Sequence, residues 1–228
     1  MAAAHRLAVR DNLHEGTWNH LSVAVPGDAG RMLITPFITH WSQVTASSLA
    51  VVGQDEDLDR LQAENEHLWV GYRIHYPLHS ARPDAACVLH AHPPFATALT
   101  MVEGGRVEMA ERNALEFHGT VAYNDAYDAG VPASLDQGQA MAEQLGDASV
   151  LMLRNHGVIV VGPTVGIAYT NLYLLERCCR VQWIAQNSGK PLALIPEDRR
   201  GGAGDGVKEQ HFAAMRRVLD RDEPEYTD

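Results

Sequence analysis

Two short histidine signatures constrain this chain more than any other feature. The first is Val88-Leu89-His90-Ala91-His92, an apolar run broken by two histidines. Alternation along a strand puts His90 and His92 on one face, within reach of a single ion. The second is Leu153-Arg154-Asn155-His156-Gly157, set between the apolar runs Val150-Leu151-Met152-Leu153 and Val158-Ile159-Val160-Val161. Two β-type runs separated by so few residues form a hairpin with His156 at its tip. Three imidazoles from two rigid elements make an open site for one divalent metal, with the remaining positions left to water or substrate. Zinc, manganese, iron and cobalt all suit such a donor set. The alternatives are a structural His-x-His pair and an ordinary turn with Gly157 at a positive φ.

Composition narrows what such a site serves. The 228 residues are 46% apolar, enough for one full core in a single domain. A formal charge of -11 argues against nucleic acid or an anionic membrane as partner, since both select a basic surface. The three cysteines, Cys87 and the adjacent Cys178-Cys179, form no disulfide framework and read as core thiols of a cytoplasmic protein. Met1 to Arg6 lacks the apolar centre of a secretory leader, and no run is long enough to span a bilayer.

Periodicity predicts a helix over 4–14, a hairpin from Leu21–Val25 and Met32–Thr35, a helical turn over Val44–Leu49 and a strand at Leu49–Val52. A helix follows over Leu58–Ala81, stopping before Arg82-Pro83. Next come a strand Ala86–His90, helices over 93–101 and Val107–Phe117, a strand at 120–123, and a helix Ser134–Leu145. The histidine hairpin precedes a long helix Thr164–Asn187 that ends at Ser188-Gly189-Lys190-Pro191. The glycine-rich segment near 198–206 has no strand before it and no Lys-Ser/Thr after it, so it reads as a flexible connector to a last helix over 206–220 rather than a phosphate loop. Alternating strands and helices without repeats give an α/β chain.

Several segments together resemble the class II aldolase/adducin family: Glu15-Gly16-Thr17-Trp18-Asn19-His20, Leu33-Ile34-Thr35-Pro36, Ile74-His75, Arg82-Pro83-Asp84, His90-Ala91-His92, Asn155-His156-Gly157 and the tail Asp222-Glu223-Pro224-Glu225-Tyr226. The resemblance implies a three-layer α/β/α sandwich with a mixed, largely antiparallel sheet. It also implies a metal on His90, His92 and His156, and a homo-oligomer, most simply a tetramer. It breaks down at the acid/base and phosphate positions. The glutamate of the family's sugar-phosphate aldolases aligns with Gly71, and their phosphate-binding serines with Trp69 and Val70. A Thr-Gly phosphate loop becomes Phe37-Ile38, and a Gly-Asn pair becomes Asn19-His20. Convergent N–H and hydroxyl donors, which a phosphate needs, are thereby lost.

These departures predict a site for an apolar, planar substrate. Family members lacking both features include decarboxylases of aromatic hydroxy-dicarboxylates, and a dihydroxyphthalate-type acid fits the residues. Phe37 and Trp69 are candidate ring walls, with core aromatics as the alternative. Arg154 is a candidate carboxylate binder or a structural ion pair, and His75, His20 and Tyr226 are candidate proton donors. His79, one turn after His75, is assigned to the surface. A carbon-carbon lyase for a non-phosphorylated hydroxy-ketone is the first rival reading, and an adducin-like association module the second.

Overall fold

The computed structural model describes residues 1–36, 38–53, 63, 66–126 and 134–228, without the side chains of Ala29, Glu66, His67 and Trp69. Its strands are β1 (His20–Val25), β2 (Asp28–Ile34), β3 (Ala50–Gly53), β4 (Cys87–Ala91), β5 (Val121–Asn124), β6 (Val150–Leu153) and β7 (Gly157–Gly162). They form one sheet in the order β3-β2-β1-β4-β7-β6-β5. Every pairing is antiparallel except β5 with β6. The helices are α1 (Ala2–Arg10), α2 (Glu66–Ala81), α3 (Pro94–Thr100), α4 (Leu135–Leu145), α5 (Val165–Gln186) and α6 (Asp205–Asp222).

Both faces of the central strands are apolar because helices cover both. Val88, Leu151, Leu153, Ile159 and Val161 pack with Ile74 and Leu78 of α2 and Met141 and Leu145 of α4. On the opposite face, Leu21, Leu89, Ala91, Met152, Val158 and Val160 share a cluster with Leu7 of α1, Leu172 and Leu175 of α5, and Leu219 of α6. The expected three-layer α/β/α sandwich is therefore present. Leu89 is fully buried at its centre, and truncation to alanine should cost about 2–5 kcal/mol. The layer of α2 and α4 is the one that matters for the site, and it is unusually close. Pro77 inside α2 withholds the N–H that would bond the Arg73 carbonyl. Gly138 of α4 rests against that carbonyl, where any Cβ would overlap it.

Most predicted elements appear within a few residues of their expected ends. Thr164 caps α5 by accepting from the Ile167 N–H at 3.1 Å. Over 107–117 the expected helix is replaced by irregular chain with turns and one 3-10 helix at Asn113–Phe117. The segment is tied down at its start, where the Tyr123 hydroxyl accepts from Val107 N–H at 3.0 Å and Gln182 from Glu108 N–H at 2.8 Å. A turn closed by Ser48 N–H on the Thr45 carbonyl at 3.3 Å falls within the expected Val44–Leu49, and a 3-10 turn at Trp41–Gln43, anchored by the fully buried Trp41, precedes it. The predicted start of α2, at Leu58, lies outside the described residues, although Ala63 within that stretch is helical. The 198–206 connector runs over Glu116, whose carboxylate accepts from the Ala203 N–H. Cys87, Cys178 and Cys179 are buried free thiols. Among the described residues no helix is long and apolar enough to cross a membrane.

Candidate metal centre

The ligand atoms of His90, His92 and His156 all lie within 4.8 Å of one another. Ring centroids are 4.9 Å apart for His90 and His92, 4.8 Å for His90 and His156, and 4.7 Å for His92 and His156. His90 sits on β4 and His92 just beyond its end, so the strand alternation expected from the sequence holds. His90 Nδ1–H donates to the Val158 carbonyl across β7 at 3.1 Å, which leaves its lone pair on Nε2. His92 Nδ1–H donates to Glu15 Oε2 at 2.5 Å, which fixes the same tautomer. The two Nε2 atoms then face each other at 3.2 Å. Two convergent imidazole lone pairs repel unless a cation lies between them, so the donor set fits a divalent ion. Burial, followed by the neighbouring His20, His156 and His92, holds the His90 pKa well below its usual value and keeps it in the neutral, ligating form. The Glu15 contact is the carboxylate that commonly orients a ligating imidazole.

His156 owes its place to a turn of three residues between β6 and β7. Asn155 carries the positive φ, at 56°, so the turn does not rest on a left-handed glycine. Gly157 is needed for a different reason, because a Cβ there would overlap His92 Cδ2 and the Ala91 carbonyl. The tip is tied to the end of α3, where Asn155 N–H donates to the Thr100 carbonyl at 3.2 Å. The opening of α3 is held in turn by Glu176, whose carboxylate accepts from Phe95 N–H and Ala96 N–H. A cavity of about 390 Å³ opens beside the cluster, lined in part by His14, Glu15, His92, Thr97, Met101 and His156.

A second line of histidines approaches from the β1 and α2 side. His20 is the cross-strand partner of His90, and their rings stand 5.0 Å apart. His20 Nδ1 lies 2.6 Å from His75 Nε2, and His75 Nδ1 lies 2.6 Å from Ser22 Oγ. Ser22 Oγ lies 2.7 Å from His79 Nε2, and His79 Nδ1 lies 2.9 Å from the Ala85 carbonyl. Directly above is Gly71, whose added Cβ would stand 2.9 Å from Ile34 Cδ1 and 3.6 Å from His20 Cγ. Ile34 and His20 therefore occupy the room that a side chain at position 71 would enter.

Residues 1–183 match the family model of the class II aldolase and adducin N-terminal domain. The chain belongs to this family. A putative aldolase class 2 protein of Caulobacter vibrioides is 29% identical over all of this chain and 90% of its own length. Rat alpha-adducin is 32% identical over 96% of this chain but only 32% of the adducin. The decarboxylase NovR of Streptomyces niveus is 27% identical over 82% of this chain and 68% of that protein. Among solved structures, an aldolase II superfamily protein from Pseudomonas syringae superposes with a TM-score of 0.84 at 32% identity, over 100% of this chain and 93% of that one. An L-fuculose 1-phosphate aldolase from Glaciozyma antarctica gives a TM-score of 0.83 at 21% identity, over 100% of this chain and 90% of that chain, a likeness of fold.

The remaining candidates are distributed unevenly. His20 and His75 lie at the cluster's edge, and burial lowers the His75 pKa well below its usual value, with His79 and His90 adding to the effect. His79 is not a surface residue as its helix position suggested. It is partly buried with both ring nitrogens hydrogen-bonded, and burial lowers its pKa to about 4 against a weaker opposing bond to Ala85. Arg154 donates to Glu103 Oε2 at 2.6 Å and to the Asp125 carbonyl at 3.1 Å, the ion-pair alternative of the two considered. Tyr226 packs in the core on the α1 and α6 face, donating its hydroxyl to Asp220, so one chain does not bring it to the imidazoles. Phe37 lies outside the described residues, as does the side chain of Trp69, although the backbone of Trp69 is in α2. Sequence reasoning passed over Glu15, although it opens one of the motifs quoted above, and gave no role to Ser22.

Proposed function

We propose that the chain is a divalent-metal-dependent carboxy-lyase for an aromatic acid bearing a hydroxyl next to the departing carboxylate, of the dihydroxyphthalate type. The observation that carries this reading is the filled space at Gly71. Cleaving a phosphorylated sugar in the manner of the family's aldolases calls for an acid/base side chain there; glycine supplies none, and Ile34 Cδ1, 2.9 Å from an added Cβ, takes up part of the room. Decarboxylation has no such requirement. An ion held by His90, His92 and His156 would supply Lewis acidity toward a ring hydroxyl and its neighbouring carboxylate.

The chain's own residues supply the rest. As the bond to the carboxylate breaks, CO2 leaves and its electron pair stays on the ring carbon, which then takes a proton. That proton is one that His20 Nε2 first takes from the substrate hydroxyl, which regains it from water on release, or it comes from Tyr226 brought by a neighbouring copy; His75 holds the His20 ring in place for this. Phe37 and Trp69 are the proposed ring walls. Arg154 is omitted from the substrate contacts because Glu103 and Asp125 already hold it. The relative named as a decarboxylase favours the same reading. The proposed working form is a cytoplasmic homotetramer with one ion per chain, zinc, manganese, iron or cobalt, free of nucleic acid and membrane partners.

The test is a CO2-release screen over ortho-hydroxy aromatic acids with metal-loaded protein. CO2 without an aldehyde fragment, lost on chelation and regained on adding zinc, manganese or cobalt, is the expected result. A ketone or aldehyde product with no CO2 would move the assignment to a lyase for a non-phosphorylated hydroxy-ketone. An adducin-like association module, the reading suggested by rat alpha-adducin, is disfavoured by the convergent lone pairs of His90 and His92, for which pure scaffolding gives no reason.

A further inference from the structure

The four bonds running from Ala85 to His20 have only one direction in which every donor meets an acceptor. The Ala85 carbonyl can only accept, so His79 Nδ1, 2.9 Å away, must carry a proton. A neutral His79 then has its lone pair on Nε2 and takes the Ser22 hydroxyl proton across 2.7 Å. With its proton spent there, Ser22 Oγ accepts from His75 Nδ1–H at 2.6 Å. His75 Nε2 is left as an acceptor, and His20 Nδ1–H donates to it at 2.6 Å. The reverse direction would set two acceptors, His79 Nδ1 and the Ala85 carbonyl, against each other.

From this geometry we propose that His79 and Ser22 are positioning residues that fix the tautomer of neutral His20, so that its Nε2, the nitrogen turned away from His75, starts as a hydrogen-bond acceptor beside the metal centre. The carbonyl of Ala85 sets the sense of the whole chain. His79 is neutral near pH 7, since burial lowers its pKa to about 4, so the single allowed direction persists there. Ser22 and His75 are fully buried, which excludes water as a competing partner and makes each bond count.

The recognition consequence follows directly. An acceptor at His20 selects a ligand that offers an O–H or N–H donor next to the ion, such as a ring hydroxyl, over one offering only carboxylate or ether oxygens. This consequence rests on the proposed carboxy-lyase reading, whereas the tautomer does not.

The test is long-range nitrogen-proton NMR of histidine-labelled protein at pH 7, which distinguishes Nδ1–H from Nε2–H imidazoles without any substrate. His79, His75 and His20 should all show the Nδ1–H form in the wild-type chain. In Ser22→Ala, and separately in His79→Phe, His20 should become a mixture of tautomers while metal content stays at the wild-type level. An Nε2–H form of His20 in the wild type would overturn the proposal. So would a pure Nδ1–H form that survives both substitutions. Once a substrate is in hand, both variants should lose roughly ten- to a hundredfold in kcat/KM. A wild-type NMR result as expected, combined with no CO2 from any hydroxy acid, would leave the tautomer standing and remove the carboxy-lyase reading alone.

Discussion

On the flank formed by β4 and the β6–β7 turn, each imidazole is oriented by a short-range rule: strand alternation for His90 and His92, a three-residue turn for His156, and a backbone carbonyl or Glu15 behind each of the first two rings. On the flank formed by β1 and α2, no local rule operates. Ser22, His75, His79 and Ala85 meet because α2 lies across the sheet at one particular height, and because β1 is registered so that His20 faces His90. The first flank presents lone pairs suited to an ion. The second presents a single acceptor whose direction is inherited from four bonds away. One fold thus separates holding a metal from orienting what binds beside it, and the two can be perturbed independently.

The largest effect should come from breaking the ligand flank. His90→Ala is expected to reduce metal from one ion per chain to none and to abolish activity, whereas Ser22→Ala should keep its metal. Elemental analysis of the two proteins checks this. Equal loss of metal in both would erase the distinction between the flanks. Gly157→Ala comes next, because its Cβ must displace His92. Metal affinity should fall roughly ten- to a hundredfold, and the fold should lose about 1–3 kcal/mol, measured by calorimetric titration and denaturant unfolding.

The sequence displayed these flanks unequally for a physical reason. His90, His92 and His156 are legible because two-residue alternation and a tight turn between apolar runs are local properties. The strand order is less so, yet the elements it connects were nearly all readable from periodicity. His79 was not legible. Spacing at i and i+4 from His75 says that the two share a helix face, but not that Ser22 lies beneath them. That depends on how α2 crosses β1, a meeting of segments more than fifty residues apart in the chain. Gly157 was legible as a glycine but not in its role, since the left-handed residue of the turn is Asn155. The helix expected over Val107–Phe117 shrank to one 3-10 turn in a segment held by Tyr123 and Gln182, partners that local periodicity does not show.

The second flank can be sharpened by pH. In the unfolded chain His79 titrates near 6.5, but in the folded chain only near 4. Between those values the unfolded state binds more protons, so stability rises with pH across this window and is lost as pH falls from 6.5 toward 4. The contribution is on the order of 3 kcal/mol. Chemical denaturation of metal-free protein from pH 7 to 4 should show the loss, and His79→Phe should flatten it. An unchanged slope in that variant would remove His79 as its source. A smaller effect is expected from Glu15→Gln, which keeps an acceptor for His92 but removes the charge. Metal affinity should weaken about tenfold with the fold intact. No change at all would mean that the 2.5 Å contact does not tune the ligand.

The most direct test of the account is the metal content of the wild-type chain and of a His90→Ala, His92→Ala, His156→Ala triple variant, each loaded with zinc, desalted at pH 7 and analysed by mass spectrometry. The account predicts one ion per wild-type chain and none in the triple variant. Full occupancy of the variant, or none in the wild type, would contradict it.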